Sequence, residues 1–127
     1  MIEVVNKYSH KPTENDIYIG RGSILGNIFT HLPVKGTKAS IQVKSREEAV
    51  SCYKERMLQI LFDFDSDNET HIEIKFRENY KRELQKIKNI AMNGDVNLVC
   101  FCKPKSCHGD VLKEIVEQFI DENKDFI

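Results

Sequence analysis

The run Leu98-Val99-Cys100-Phe101-Cys102-Lys103-Pro104-Lys105-Ser106-Cys107-His108-Gly109-Asp110 crowds three of the chain's four cysteines, a histidine and two lysines into one short stretch. It reads as a buried strand, a tight polar loop and the first turn of a helix. In α/β proteins the carboxyl end of a strand facing a helix N-terminus favours anions, because free amide donors and the helix dipole meet there. Three chemistries are open. In the first, recognition, Lys103, Lys105, His108 and the amides around Ser106 to Gly109 hold a phosphate or carboxylate. Gly109 lets a ligand or another backbone come close, and Asp110 either accepts from a ribose hydroxyl or caps the helix. The second is catalysis: Cys107, its thiolate stabilised by the helix dipole, Lys105 and His108, is a candidate nucleophile. Asp110 is a second candidate nucleophile, with His108 as acid or base. Phosphatase-like and rhodanese-like loops close with an arginine, however, and none follows here. The third is zinc, for which Cys100, Cys102, Cys107 and His108 are suitable ligand types in the spacing C-x-C-x4-C-H. Alternate residues on a strand cannot wrap an ion as a C-x2-C knuckle does, so neither a metal nor a cofactor is assigned. Cys100 is read as a small apolar core residue.

A second segment, Gly20-Arg21-Gly22-Ser23-Ile24-Leu25-Gly26-Asn27, is punctuated by glycines. Its spacing is not the dinucleotide fingerprint, and no Walker lysine follows Gly26. Its position matters more. It follows a predicted strand, so with parallel strands it emerges at the same rim as the cysteine loop. Arg21 is then the natural bidentate partner for a phosphate or carboxylate, with Gly20 and Ser23 beside it. Asn27 either reads a base edge or holds the loop closed by bonding its own backbone.

The elements that must position these loops follow from periodicity. Ile2 to Asn6 and Asp16 to Ile19 are predicted strands. Phe29 and Leu32 anchor the far side of the glycine loop, Pro33 to Ser40 is a second loop, and Ile41 to Val43 is a short edge strand or extended chain. Ser45 with Glu48 forms a capping box, opening a helix that carries Ala49, Val50, Tyr53, Met57, Ile60, Leu61 and Phe64 at helical spacing. A polar break covers Asp63 to Thr70. Its Asp63 to Asn68 portion begins like a calcium loop but lacks the sixth-position glycine and the closing glutamate. A second helix runs from about Phe76 through Tyr80, Leu84, Ile87 and Ala91 to an αL cap at Asn93-Gly94. Val96 to Cys102 is the central strand. The last helix buries Val111, Leu112, Ile115, Val116, Phe119 and Ile120, and the polar tail from about residue 121 is expected to fray. His10, His31 and His71 are read as surface residues. This order predicts an α/β fold, a single domain over 1–127 with a small, open, mostly parallel sheet and three main helices.

At 127 residues, 40% hydrophobic and 31% charged, the chain has the composition of one globular domain. Its net charge is −1, from 19 Lys and Arg against 20 Asp and Glu, which argues against binding extended nucleic acid. No apolar run approaches a membrane span, and Met1 to Lys7 is no secretory leader. The expected location is the cytoplasm, with all four cysteines reduced. Open strand edges leave room for a homo-oligomer.

The motifs Ile19-Gly20-Arg21-x-Ser23-x-Leu25-Gly26-Asn27-x-Phe29, Ser45-Arg46-Glu47-Glu48-Ala49-Val50 with Tyr53, and Leu98-Val99-Cys100-x-Cys102-x-Pro104-x-x-Cys107-His108-Gly109-Asp110-Val111-Leu112 run through nearly the whole chain. Together they resemble a domain-of-unknown-function family of small proteins common in bacteriophages and bacteria. Arg21, Asn27, Arg46, Cys102, Cys107, His108 and Asp110 match its motif positions. The family's prolines at the positions of Gly22 and Ile28 are absent, which makes this glycine loop less rigid. The resemblance implies a compact Rossmann-like α/β domain with the two loops meeting at one pocket. A phage protein of this kind would serve nucleotide metabolism or interfere with a nucleotide-based host defence, in the host cytoplasm. The expected function is therefore binding of a nucleotide or nucleotide-derived, phosphate-bearing small molecule, as in sequestering a nucleotide signal. The alternative is an enzyme, a hydrolase or transferase acting on a nucleoside or nucleotide through Cys107, His108 or Asp110.

Overall fold

Eight elements follow one another in the computed structural model: β1 (Ile2–Asn6), β2 (Asp16–Tyr18), β3 (Phe29–Thr30), β4 (Ile41–Gln42), α1 (Arg46–Phe62), α2 (His71–Asn93), β5 (Val96–Cys100) and α3 (His108–Asp121). Residues 1–31, 41–62, 71–103, 105 and 107–127 are described, 71–74 as helical backbone only. Leu32, the loop from Pro33 to Ser40, Phe64, the polar break at 63–70, Pro104 and Ser106 lie outside them.

β5 is the middle of a three-stranded sheet ordered β1-β5-β2, and both neighbours run parallel to it. Val4 and Ile17 flank Leu98 from either side. Val96, Leu98 and Cys100, on one face of β5, enter the core. Val99 on the opposite face is buried too, and Asn97 beside it bonds to the Asp16 carboxylate. Parallel strands need crossovers, so the carboxyl ends of all three strands, and the loops that follow them, share one rim. The architecture is α/β with three helices and a small, mostly parallel sheet, as the sequence pattern predicts. Phe29–Thr30 is a further strand, paired in parallel with β4; two residues are too few for an alternation signal. No helix among the described residues is long and apolar enough to cross a membrane.

The helices bury the expected stripes: Ala49, Tyr53 and Met57 on α1, Tyr80, Leu84 and Ile87 on α2, and Val111, Leu112, Ile115, Val116 and Phe119 on α3. Ser45 Oγ caps α1 by accepting from the Glu48 N–H at 3.1 Å. The Glu48 carboxylate returns to the Lys44 N–H at 3.0 Å, so the capping box closes one residue early. α2 starts at His71, ahead of Phe76, which is 41% exposed and sits beneath the Arg56 guanidinium against the Tyr80 ring. Gly94 does not take a positive φ, so the expected αL cap is not formed there.

Two other expectations are overturned. His10 is not a bare surface residue: its Nε2 lies 3.0 Å from Asp16 Oδ1, a carboxylate also bound by the Thr13 N–H and Oγ1. The chain after Asp121 is docked rather than frayed, with Phe126 buried against Phe119.

Candidate functional site

At the common rim a cavity of about 690 Å³ opens, a size typical of small-molecule sites. Its described lining includes Lys7 from beyond β1, Tyr18 and Arg21 from the end of β2, Phe101 and Cys102 from beyond β5, and Arg46 at the start of α1. Arg21 and Cys107 share it, so the glycine and cysteine loops do converge. Three cations line it, and no carboxylate does among the described residues.

α1 holds the glycine loop in place. Tyr53, buried on that helix, donates its hydroxyl to the Leu25 carbonyl at 2.7 Å, and Asn27 Nδ2 donates to the Ala49 carbonyl at 3.2 Å. Asn27 Oδ1 accepts from the Phe29 N–H at 2.9 Å. Asn27 lines the cavity, but these bonds make it the strut that closes its own loop. Ser23 turns inward to the Gly20 carbonyl at 2.6 Å and does not line the cavity. Gly22 takes φ 95°, a conformation that glycine adopts without strain.

Among the described residues, Arg21 is held by a bond from Nη2 to the Phe29 carbonyl at 3.1 Å. Its Nε–H is buried and has no acceptor among the described residues. A buried donor left unbonded costs about 1–3 kcal/mol, so this guanidinium has unspent capacity for an anion. At the mouth, Tyr18 and Phe101 meet edge to face with centroids 6.0 Å apart. Lys7 Nζ lies 5.3 Å and 5.7 Å from their ring centres.

The cysteine loop folds differently from the simplest expectation. β5 ends at Cys100, and Cys102 lies beyond it, half-buried on the cavity wall. Cys107 is the N-cap of α3: its Sγ accepts from the Gly109 N–H at 3.4 Å, and its own N–H donates to Asp110 Oδ2. Asp110 therefore caps the helix, and its Oδ1 accepts from Lys103 Nζ at 2.7 Å. Lys103 is thus turned to Asp110, Lys105 is exposed, and neither lines the cavity. Gly109 is buried because a Cβ there would fall 2.7 Å from Val4 and 2.9 Å from Ile19; it lets α3 seat on the sheet. Ser23, Lys103, Lys105, Gly109 and Asp110 do not line this cavity. Gly20, Arg21, Asn27, Cys102, Cys107 and His108 are brought together.

The three loop cysteines form a cluster. Cys107 Sγ donates to Cys100 Sγ at 3.0 Å, and Cys102 neighbours both. Interaction with those two thiols holds the Cys102 thiol far below its ordinary range against the opposing effect of burial, helped by the charges of Arg46 and Arg21. Its bonds to Cys100 and Cys102, together with burial, push Cys107 up, so it stays a thiol at neutral pH. The shift of Cys107, the candidate nucleophile, is thus opposite to the one a helix N-terminus would produce, and the lowered thiol of the cluster is Cys102. His108 is buried and lowered by that burial; its Nε2 bonds to the Ile19 carbonyl and its Nδ1 lies 3.6 Å from Cys107 Sγ. Two zinc-bound sulfurs stand roughly 3.8 Å apart in a tetrahedron with bonds of about 2.3 Å, wider than the Cys100–Cys107 pair. Among the described residues no group of three or more His, Cys, Asp or Glu is placed to hold a metal.

Lys7 and Arg46 were not among the expected ligand contacts. Lys7 follows β1 directly, and its N–H bonds to the Cys100 carbonyl, so applying the strand-end rule to every strand would have found it. Arg46 sits in the capping sequence, where its neighbours Ser45 and Glu48 draw the eye. Because Lys103 and Asp110 are 30% and 45% exposed, their pair contributes at most about 1 kcal/mol. Lys103→Ala should therefore leave ligand affinity within about twofold of wild type by calorimetry, with only a small loss of stability.

The chain belongs to the family described as Domain of unknown function (DUF4326), which matches it over residues 3–118. No curated protein and no solved structure matches it.

Proposed function

We propose that the cavity binds a nucleotide or nucleotide-derived small molecule, with its phosphate against Arg21 and Arg46 and its base against Phe101 and Tyr18. The observation that carries this reading is a carboxylate-free described lining that places two guanidiniums, one with a buried unspent N–H, in the same cavity as an aromatic corner. Guanidinium forks match phosphate oxygens bidentately. Aromatic faces accept any base, at about 1–3 kcal/mol per stacked base. Lys7 adds positive charge beside the aromatic corner. For a phage-encoded member of the family, tight binding alone would suffice to withdraw a nucleotide signal from a host defence.

Calorimetry against mono-, di- and cyclic nucleotides tests the reading. Arg46→Ala should weaken the best ligand at least tenfold, about 1.4 kcal/mol, and Arg21→Ala by as much. Phe101→Ala should weaken nucleotides by about 1–3 kcal/mol while leaving inorganic pyrophosphate unchanged. Absence of binding across the panel, or affinity indifferent to both arginines, would sink it. A second reading, an enzyme acting on the same ligand, is favoured by the thiol cluster on the cavity wall.

A further inference from the structure

We propose that Cys102 is a nucleophile for group transfer, attacking a phosphate-bearing substrate whose phosphate, held by Arg21 and Arg46, is the leaving group. The proposal rests on the anion site described above and adds a reaction to it. All three clustered cysteines line the cavity, but Cys100 and Cys107 are about 1% exposed while Cys102 is half-buried. Cys107 donates to Cys100 at 3.0 Å, and the third sulfur shares the cavity lining with Lys7, Arg21 and Arg46. Positive charge around a half-buried thiol favours its thiolate and leaves it open on the side where a ligand would sit. A cysteine loop without its own arginine lacked half of a phosphate-transfer site when read along the chain. The fold supplies the missing half twice, from the glycine loop and from the first residue of α1.

The step balances without an added acid or base. The Cys102 sulfur donates an electron pair to the atom bonded to the leaving phosphate. The bond from that atom to the phosphate oxygen breaks, and the phosphate departs with the electron pair. A phosphate leaves as an anion and needs no proton, which suits a described lining without carboxyl groups; the guanidiniums neutralise the charge it gains. Water then attacks the same atom, the bond to sulfur breaks, sulfur recovers its electron pair as thiolate, and the proton of water goes to solvent.

Two measurements decide it. The first uses no nucleotide: the full chain is alkylated at about pH 6 with iodoacetate or iodoacetamide, and the modified cysteine is mapped by mass spectrometry. Sulfur displaces iodide in both cases, but only iodoacetate carries a negative charge for the arginines. Cys102 should be modified at least tenfold faster than Cys52. Arg46→Ala should slow iodoacetate about tenfold and iodoacetamide far less. Modification of Cys52 or Cys107 first, or an equal effect of Arg46→Ala on both reagents, overturns the assignment of the nucleophile. The second incubates the protein with nucleoside di- and triphosphates and follows phosphate release. Wild type should release phosphate, and both Cys102→Ser and Cys102→Ala should bind with wild-type affinity and release none. Release that survives either substitution, or binding by wild type with no release, overturns the reaction. Nucleotides that fail to bind at all, alongside charge-selective labelling of Cys102, would reject the ligand reading and the reaction built on it while upholding the thiolate.

Discussion

Phe126→Ala should lower the unfolding free energy by about 3–5 kcal/mol, the usual cost of truncating a buried phenylalanine. Phe126 is 5% exposed and stacks on Phe119 at a centroid distance of 3.9 Å with the rings 5° from parallel. Phe119 in turn meets Phe62 of α1, so the truncation would open a void against α3 at the ring that also contacts α1. The approach of this segment is fixed by polar contacts to α2. Gln85 Oε1 accepts from the Phe126 N–H at 2.8 Å. Lys88, buried on the same helix, donates to Asp125 Oδ1 at 2.8 Å and to the Lys124 carbonyl. Urea unfolding measures the effect: the midpoint should fall with the slope unchanged. A loss below about 1 kcal/mol, within the range of surface substitutions, would show that the segment does not hold the helices together.

That segment also shows where sequence reading stops. A polar run after an amphipathic helix looks frayed because only one of its residues, Phe126, carries the burial. The signal was Asn123, which takes φ 54° just past the helix. The Lys124 N–H returns to the Phe119 carbonyl and the Asn123 N–H to the Ile120 carbonyl, a Schellman closure in which asparagine stands in for the usual glycine. Such a closure reverses the chain and sends it back across the helices. The elements with long periodic stripes, α1, α3 and β5, were legible because burial and period coincide in them. The start of α2 and the two-residue strands were not, since neither carries enough apolar residues to set a period.

The site divides along the same line. Convergence of the glycine and cysteine loops was legible because parallel strands place their carboxyl ends on one rim. Which side chains face the cavity was not, because that depends on local bonding. Lys103 is captured by Asp110, Ser23 by Gly20 and Asn27 by Ala49, and a residue's type alone does not reveal a competing partner so close at hand. Cys107 likewise looked like the thiolate, being at a helix N-terminus. There it accepts from the Gly109 N–H while lying 3.0 Å from another thiol, and the thiol of that cluster that is lowered, with help from the charges of Arg46 and Arg21, is Cys102.

His108 should make the folded state sensitive to acid in a window above that of the carboxylates. It is 5% exposed, and its Nε2 faces the Ile19 carbonyl, which can only accept, so the ring's hydrogen is on Nε2 and Nδ1 carries the lone pair toward Cys107. Burial lowers its pKa, outweighing the opposing effect of the Ile19 carbonyl. In the unfolded chain a histidine takes up a proton near 6.5, while in the folded state this one does not until a lower pH. Between those two values the unfolded state holds more protons. Stability must therefore fall as pH drops below about 6.5, by about 1.4 kcal/mol per pH unit at the full one-proton difference, and it levels off below the folded value. Asp16 acts in a different range. Burial opposes its ionisation, but hydrogen bonds from Thr13, His10 and Asn97 depress its pKa below 3.8. Its contribution is complete above that unfolded value and fades only in stronger acid. His108→Gln keeps an N–H for the Ile19 carbonyl but cannot titrate. Urea midpoints for both proteins at pH values from about 7.5 to 5 should converge as pH falls, since the wild type starts more stable and carries the extra slope. Comparing the two proteins cancels His10, His31 and His71. Parallel curves would mean that His108 gains its proton as readily folded as unfolded, so that burial does not hold its pKa down.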